Sequence, residues 1–134
     1  MKAPQTRAEI IGKFGCLAMC YAYCLGIEPE FNSEYIRIVS DAMDKGILDD
    51  ECTVLDAGRY LQYLSGKKWN VQKCAIDNPA QIAEIKDRTP VRFDYNGYSH
   101  WVVVENGEVV FNSLEKSNCV NFGKPVTMRV ITLA

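Results

Sequence analysis

The first half of the chain carries apolar residues at helical spacing. Residues 6–9, Thr-Arg-Ala-Glu, have the pattern of a capping box with Thr6 as N-cap, and they predict the start of a short helical turn. From Cys16 the sequence is apolar on every side up to Gly26, which predicts a buried central helix that ends at this glycine. Two more helices are predicted, one from about residue 33 to residue 45 and one from about residue 53 to residue 66.

The second half changes from helical spacing to alternation. Residues 69–72 alternate between apolar and polar side chains, which is typical of a strand. A short helix is predicted over residues 79–85, and further strands over residues 91–95 and 126–131. Helices followed by mainly antiparallel strands indicate an α+β fold, in a single domain that spans residues 1–134.

A β-hairpin is predicted around the dipeptide Asn106-Gly107, which is flanked by β-branched segments. With these two residues in the turn, pairing outward along the strands places Trp101 opposite Asn112. His100, the single histidine of the chain, then lies close to Asn112 at the open end of the hairpin. The amide oxygen of an asparagine can fix the tautomer and orientation of an imidazole, as a catalytic histidine requires.

Composition and charge restrict the possible partners. The chain has 134 residues and a formal net charge of −2, which gives no electrostatic reason to expect a nucleic acid or an anionic membrane. No apolar run is long enough for a membrane span, and the first six residues lack the apolar core of a signal peptide, so we expect a cytoplasmic protein. The six cysteines contain no Cys-x-x-Cys pair and are expected to be free thiols.

Cys16 is the candidate nucleophile among these thiols. It falls in the first turn of the central helix, where unpaired backbone N–H groups and the helix dipole favour a thiolate. Cys20 and Cys24 lie one and two turns further along nearly the same face, and we interpret them as small core residues. Cys16, His100 and Asn112 together would supply a nucleophile, a base and a residue that orients the base.

Each of these residues also has an ordinary structural interpretation. Cys16 can be the first residue of a core helix, His100 a hydrogen-bonded strand residue, and Asn112 a strand-end residue that caps backbone N–H groups. Trp101 can be a core anchor or a wall of the cleft beside His100. Sulfurs two helical turns apart cannot share one small ion, so neither a metal nor another cofactor is expected.

Three short segments carry a family resemblance. They are Gly-Cys-Leu-Ala-Met at residues 15–19, Ser-His-Trp-Val-Val-Val at residues 99–104 and Phe-Asn-Ser at residues 111–113. In these segments the chain resembles the papain-like cysteine peptidases, most closely the small bacterial branch that includes the bacteriocin leader peptidases. It also looks like a small family found in spirochaetes and phages. The resemblance implies a helical half that holds the cysteine, packed on an antiparallel sheet that holds the histidine.

The resemblance also implies a cysteine hydrolase that cleaves a peptide or related acyl or amide bond of a peptide or protein substrate. In such an enzyme Cys16 would attack the carbonyl carbon, and Asn112 would hold the imidazole. His100 would protonate the leaving amine and then activate water. The oxyanion would lie against the backbone N–H of Cys16 and the side chain of Gln5.

Two features of the sequence depart from the family pattern. The related peptidases usually place a glutamine several residues before the cysteine, where this chain has Ile10, and Gln5 is the only upstream glutamine. The bacteriocin peptidases also have a Cys-Leu-Ala-Met-like segment one turn after the nucleophile, and in that register the nucleophile position falls on Gly12. The alternative function is therefore a non-catalytic binding or inhibitory module, of phage or mobile-element type, on a degenerate papain-like scaffold.

Overall fold

The computed structural model of the chain describes residues 6–28, 32–113 and 117–134. The helices of the first half are α1 (Arg7–Phe14), α2 (Cys16–Cys24), α3 (Asn32–Asp44) and α4 (Ala57–Ser65). The second half contains the strands β1 (Trp69–Ala75), β2 (Thr89–Tyr95), β3 (Tyr98–Glu105), β4 (Glu108–Phe111) and β5 (Lys124–Leu133), a 3₁₀ helix (Pro79–Glu84) and α5 (Asn118–Phe122). Helices therefore precede strands along the chain, as predicted.

The five strands form one sheet in the order β1-β5-β2-β3-β4, and every neighbouring pair is antiparallel. The predicted α+β class with an antiparallel sheet is confirmed. Strand β5 lies between β1 and β2, so the last element of the chain joins β1 to the rest of the sheet. The short strand β4 forms one edge, next to the strand that carries His100.

The two faces of the sheet belong to different hydrophobic clusters. One face packs against α1 to α4 through Trp69, Val71, Phe111 and Ile131. The Phe111 ring stacks on Tyr23 of α2, with ring centroids 4.9 Å apart. The opposite face buries Val91, Phe93, Val102 and Val104 together with Ile85 and Cys119. Val102 and Val104, two residues apart in β3, therefore both lie in this second cluster.

The junction between α1 and α2 depends on a glycine. α1 begins as the capping box predicts, because the Thr6 hydroxyl accepts a hydrogen bond of 3.2 Å from the Glu9 N–H. The helix ends at Gly15, whose N–H donates to the carbonyl oxygen of Ile11 at 2.7 Å. A Cβ atom at residue 15 would lie 2.5 Å from the same oxygen. Glycine thus allows α2 to begin directly beside the end of α1.

Two helices differ from the predicted elements. α4 begins at Ala57, where the Asp56 side chain accepts the N–H of Arg59 at 3.1 Å, and not near residue 53. Leu55, predicted to lie inside this helix, is 63% exposed in the preceding loop. α5 has no counterpart among the predicted elements, because five residues are too few for helical periodicity to be recognised. Its N-cap, Ser117, is the signal that the sequence offers.

Arg88 joins the helical layer to the β3–β4 hairpin. Its guanidinium forms ion pairs with Glu28 at 2.7 Å and with Glu105 at 3.5 Å. It also lies over the Tyr23 ring, 4.3 Å from the centroid, and donates to the Tyr23 carbonyl oxygen at 3.0 Å. The C-terminal end of α2 is thereby held at the turn end of the hairpin, which places the N-terminal end of α2 toward the open end.

Candidate active site

Cys16 is the first residue of α2, with Gly15 as N-cap, which confirms its predicted place in the helix. The backbone N–H groups of Trp101, Leu17 and Cys16 itself act to lower the pKa of this thiol. Burial has the larger effect and raises the pKa of the Cys16 thiol above its ordinary value. This raised pKa is opposite in direction to the shift that a helix N-terminus alone would produce.

A β-bulge decides which side of the hairpin Asn112 faces. The pairs observed from the turn outward are Glu105↔Glu108, Val104↔Val109 and Val103↔Phe111. Val110 is the extra residue, so the predicted pairing of Trp101 with Asn112 is wrong. Because side chains alternate along a strand, the one-residue shift moves Asn112 from the face of Trp101 to the face of His100.

The His100 ring is held by Asn112. Its Nε2 lies 2.7 Å from the Asn112 Oδ1, which confirms the predicted proximity of the two side chains. An amide oxygen only accepts, so Nε2 carries the hydrogen and Nδ1 of the neutral ring keeps its lone pair. Burial lowers the pKa of His100 below 6.5, and the bond to Asn112 partly offsets that shift. At neutral pH the ring is therefore uncharged, as a general base must be.

The Cys16 sulfur lies against the strand that carries this ring. The Trp101 N–H that acts to lower the pKa of this thiol belongs to the peptide bond between His100 and Trp101. Pairing with β4 stops at Val103, which leaves the outer edge of β3 open to α2 at this point. Among the hydrogen bonds of the described residues, none joins the sulfur to the His100 ring. Catalytic hydrogen bonds are often longer than normal before substrate binds.

Gln5, the expected oxyanion donor, lies outside the described residues. The other expected donor, the backbone N–H of Cys16, is present at the start of α2. The described part of the candidate site therefore offers backbone N–H groups of a helix N-terminus, which favour developing negative charge.

A cleft of about 330 Å³ opens directly beside the Cys16 thiol. Three segments line it: residues 14–17 through Phe14, Cys16 and Leu17, residues 51–54, and β3 through Ser99 and Trp101. Trp101 is therefore a wall of this cleft, whereas His100 does not line it. His100 is only 5% exposed and lies between the two β3 residues that line the cleft. A larger cavity of about 410 Å³, between the 3₁₀ helix and β5, contains none of the predicted site residues.

The loop of residues 49–54 is a wall of the cleft that the sequence does not predict, and its last two residues were expected to begin α4. The Asp49 carboxylate accepts hydrogen bonds from the N–H groups of Glu51 and Thr53, each at 2.9 Å. Cys52 has a left-handed backbone with φ of 61°. A short Asp-initiated turn before the Asp56 cap is the signal that could have indicated this loop.

The other thiols differ from Cys16. Cys20 is fully buried, and burial raises its pKa far above the ordinary value, which confirms its interpretation as a core residue. Burial also raises the pKa of Cys24 to about 12. All six cysteines are free. In the three described ranges, no group of three or more His, Cys, Asp or Glu side chains is arranged to hold a metal ion.

Comparison of the chain with protein-family models, with curated proteins and with solved structures gave no match. Within the part of the chain that the structure describes, no helix combines the length and apolar character needed to cross a membrane.

Proposed function

We propose that this protein is a papain-like cysteine hydrolase that cleaves a peptide or related acyl bond. Cys16 is the nucleophile, His100 the general base and acid, and Asn112 the residue that positions the imidazole. The observation that carries the proposal is the 2.7 Å bond between His100 Nε2 and Asn112 Oδ1, made possible by the bulge. This bond directs Nδ1 of the ring away from Asn112, so that Nδ1 can take a proton.

The reaction begins from an uncharged pair. As the Cys16 sulfur attacks the carbonyl carbon of the substrate, its proton moves to Nδ1 of His100, and the Nε2–H bond to Asn112 steadies the imidazolium. The tetrahedral intermediate expels the amine, which takes the proton from Nδ1 and leaves a thioester on Cys16. A water molecule then gives a proton to Nδ1 and attacks the thioester, which releases the acid and restores the thiol.

The start of α2 supplies the electrostatic part of the mechanism. In the free protein the N–H groups of Cys16 and Leu17 act to lower the pKa of the thiol. When the carbonyl carbon binds to this sulfur, the same N–H groups lie beside the carbonyl oxygen. They and the helix dipole favour the negative charge that develops there.

Alkylation by iodoacetamide, read cysteine by cysteine with peptide mass spectrometry, tests the coupling between the two groups. Between pH 6 and pH 8 we expect Cys16 to react faster than Cys20, since a neighbouring imidazole can take the thiol proton during attack. His100→Ala should slow Cys16 and leave Cys74, a half-buried thiol of β1, unchanged. Equal Cys16 rates in wild type and His100→Ala would overturn the proposal.

A non-catalytic peptide-binding module is the second candidate function. It is favoured by the absence, within the described residues, of a hydrogen bond between Cys16 and His100. In that case a peptide would occupy the cleft without being cut. Peptide binding that is equal in wild type and Cys16→Ala, together with alkylation that does not depend on His100, would support this function.

A further inference from the structure

We propose that the cleft beside Cys16 receives a lysine or arginine side chain of the peptide substrate, and that Glu51 determines this preference. The inference rests on the proposed hydrolase function, because it places the side chain next to the proposed nucleophile. Glu51 and Cys16 line the same cleft of about 330 Å³. A substrate residue close to the scissile bond must therefore lie within reach of both.

The walls of the cleft suit a long aliphatic stem. Phe14, Leu17, Val54 and Trp101 contribute apolar surface, and the Ser99 and Trp101 positions belong to β3, which is fixed by its pairing with β2. Lysine and arginine bury their methylene groups along apolar surface while keeping the charged end in water. A cleft with apolar side chains on its walls and an opening to solvent offers both environments.

Among the described residues, Glu51 is the only charged one that lines the cleft. It is exposed, and no cation among the described residues forms an ion pair with it. Arg7 is close enough to influence Asp50 and Cys52, but its guanidinium is already hydrogen-bonded to Asp44. The Glu51 charge is thus available to a cationic group that enters from solvent, and it repels an anionic one.

The loop that carries Glu51 is organised before any ligand binds. Asp49 accepts the N–H groups of Glu51 and Thr53 through its side chain, and the N–H of Cys52 through its carbonyl oxygen at 3.1 Å. An isolated β-bridge between Leu48 and Val54 closes the base of the loop. A site that keeps its shape without ligand loses less entropy on binding.

A positional library of acetylated tetrapeptide aminocoumarin amides measures the preference directly. We expect wild type to prefer lysine and arginine over norleucine at one position by about two- to fivefold in kcat/KM, the range of an exposed ion pair. Glu51→Gln should abolish the preference, and Glu51→Lys should replace it by a preference for glutamate. Asp50→Asn changes a charge in the same loop outside the cleft and should leave the preference unchanged.

A preference for cations that survives Glu51→Gln, or cleavage without any cationic preference, would overturn this inference while leaving the hydrolase function intact. A binding experiment covers the case in which the cationic preference is right and the hydrolase function is wrong. It uses the Cys16→Ala variant with acetylated tetrapeptide amides that contain lysine or norleucine. The Trp101 indole N–H signal in NMR reports on the cleft. The Trp69 signal is a control, because its indole donates to Ser65 at 2.8 Å outside the cleft.

In Cys16→Ala we expect lysine peptides to shift the Trp101 signal at lower concentration than norleucine peptides. In the double variant Cys16→Ala with Glu51→Gln we expect no such difference. This result supports the specificity even if no peptide is cleaved. Cleavage failure would then count against the hydrolase function alone. Equal titrations by the two peptides, or no shift of Trp101 by either, would overturn the specificity.

Discussion

The first turn of α2 and its middle turn carry the same residue type in very different surroundings. Cys16 is half-buried and opens onto a cleft, and three backbone N–H groups act to lower its pKa. Cys20, one turn later, is fully buried, and burial raises its pKa far above the ordinary value. Four residues of a single helix thus separate a candidate nucleophile from a packing residue. The position in the helix, and not the residue type, decides how different the surroundings of the two thiols are.

The largest expected effect comes from matched alanine substitutions at these two cysteines. Cys16→Ala should reduce turnover of a cleaved peptide by about 10⁴-fold or more, because no other group can form the thioester. Cys20→Ala should keep activity and lower the free energy of unfolding by about 1 kcal/mol, since it removes one buried atom. Turnover and urea denaturation measure both variants. Comparable loss of turnover in two well-folded variants would remove the distinction between the two turns.

The second largest effect is expected from Asn112→Ala, which tests whether the hairpin acts together with the first turn of α2. Asn112→Ala should lower kcat by about a hundredfold, the lower end of what general acid–base catalysis supplies. The same change should lower the pKa of His100 further, because the Asn112 hydrogen bond raises it. His100 is the only histidine, so its imidazole proton signals in NMR can be followed without overlap. An unchanged or raised pKa would show that Asn112 does not control the ring.

The junction in front of Cys16 can be tested by two glycine substitutions. Gly15→Ala should destabilise the protein by about 1–3 kcal/mol, because the added Cβ would lie 2.5 Å from the Ile11 carbonyl oxygen. Gly12→Ala meets nothing within 4 Å and replaces glycine inside a helix, so it should be neutral or stabilising by up to about 1 kcal/mol. Urea denaturation compares the two. A Gly15→Ala variant as stable as wild type would contradict this account of the junction.

The smallest effect concerns pH and the His100 ring. The pKa of His100 in the folded protein is lowered from 6.5, so the unfolded chain binds this proton more strongly. The stability that results is fully present above about pH 6.5 and is lost as pH falls through the folded pKa. His100→Gln should remove this part of the pH dependence. Unfolding free energies of both proteins from pH 5 to pH 7.5 measure it, and parallel curves would contradict it.

The elements that the sequence predicts well are those with strong local signals. The Thr6 cap, the apolar run that starts at Cys16 and the Asn106-Gly107 turn each specify their own backbone, and each is found where it was predicted. The loop of residues 49–54 is held by Asp49, and α5 covers only five residues. Neither produces a periodic pattern, so neither could be predicted.

In the candidate site, too, some features follow from local sequence signals and others depend on the tertiary structure. The proximity of His100 and Asn112 follows from the turn alone, but the bulge at Val110 decides that both side chains share one face. The sequence places Cys16 at a helix N-terminus, where N–H groups favour a thiolate, but packing against β3 buries the thiol and raises its pKa.

By itself the sequence determined the order of helices and strands and the residue types at the helix start and hairpin end, because capping, turn and periodicity signals act over a few residues. The tertiary structure alone decided that Cys16 shares a cleft with Trp101 and Glu51, and that burial raises the pKa of its thiol. These properties depend on contacts between distant segments and on exclusion of water, which no local pattern encodes.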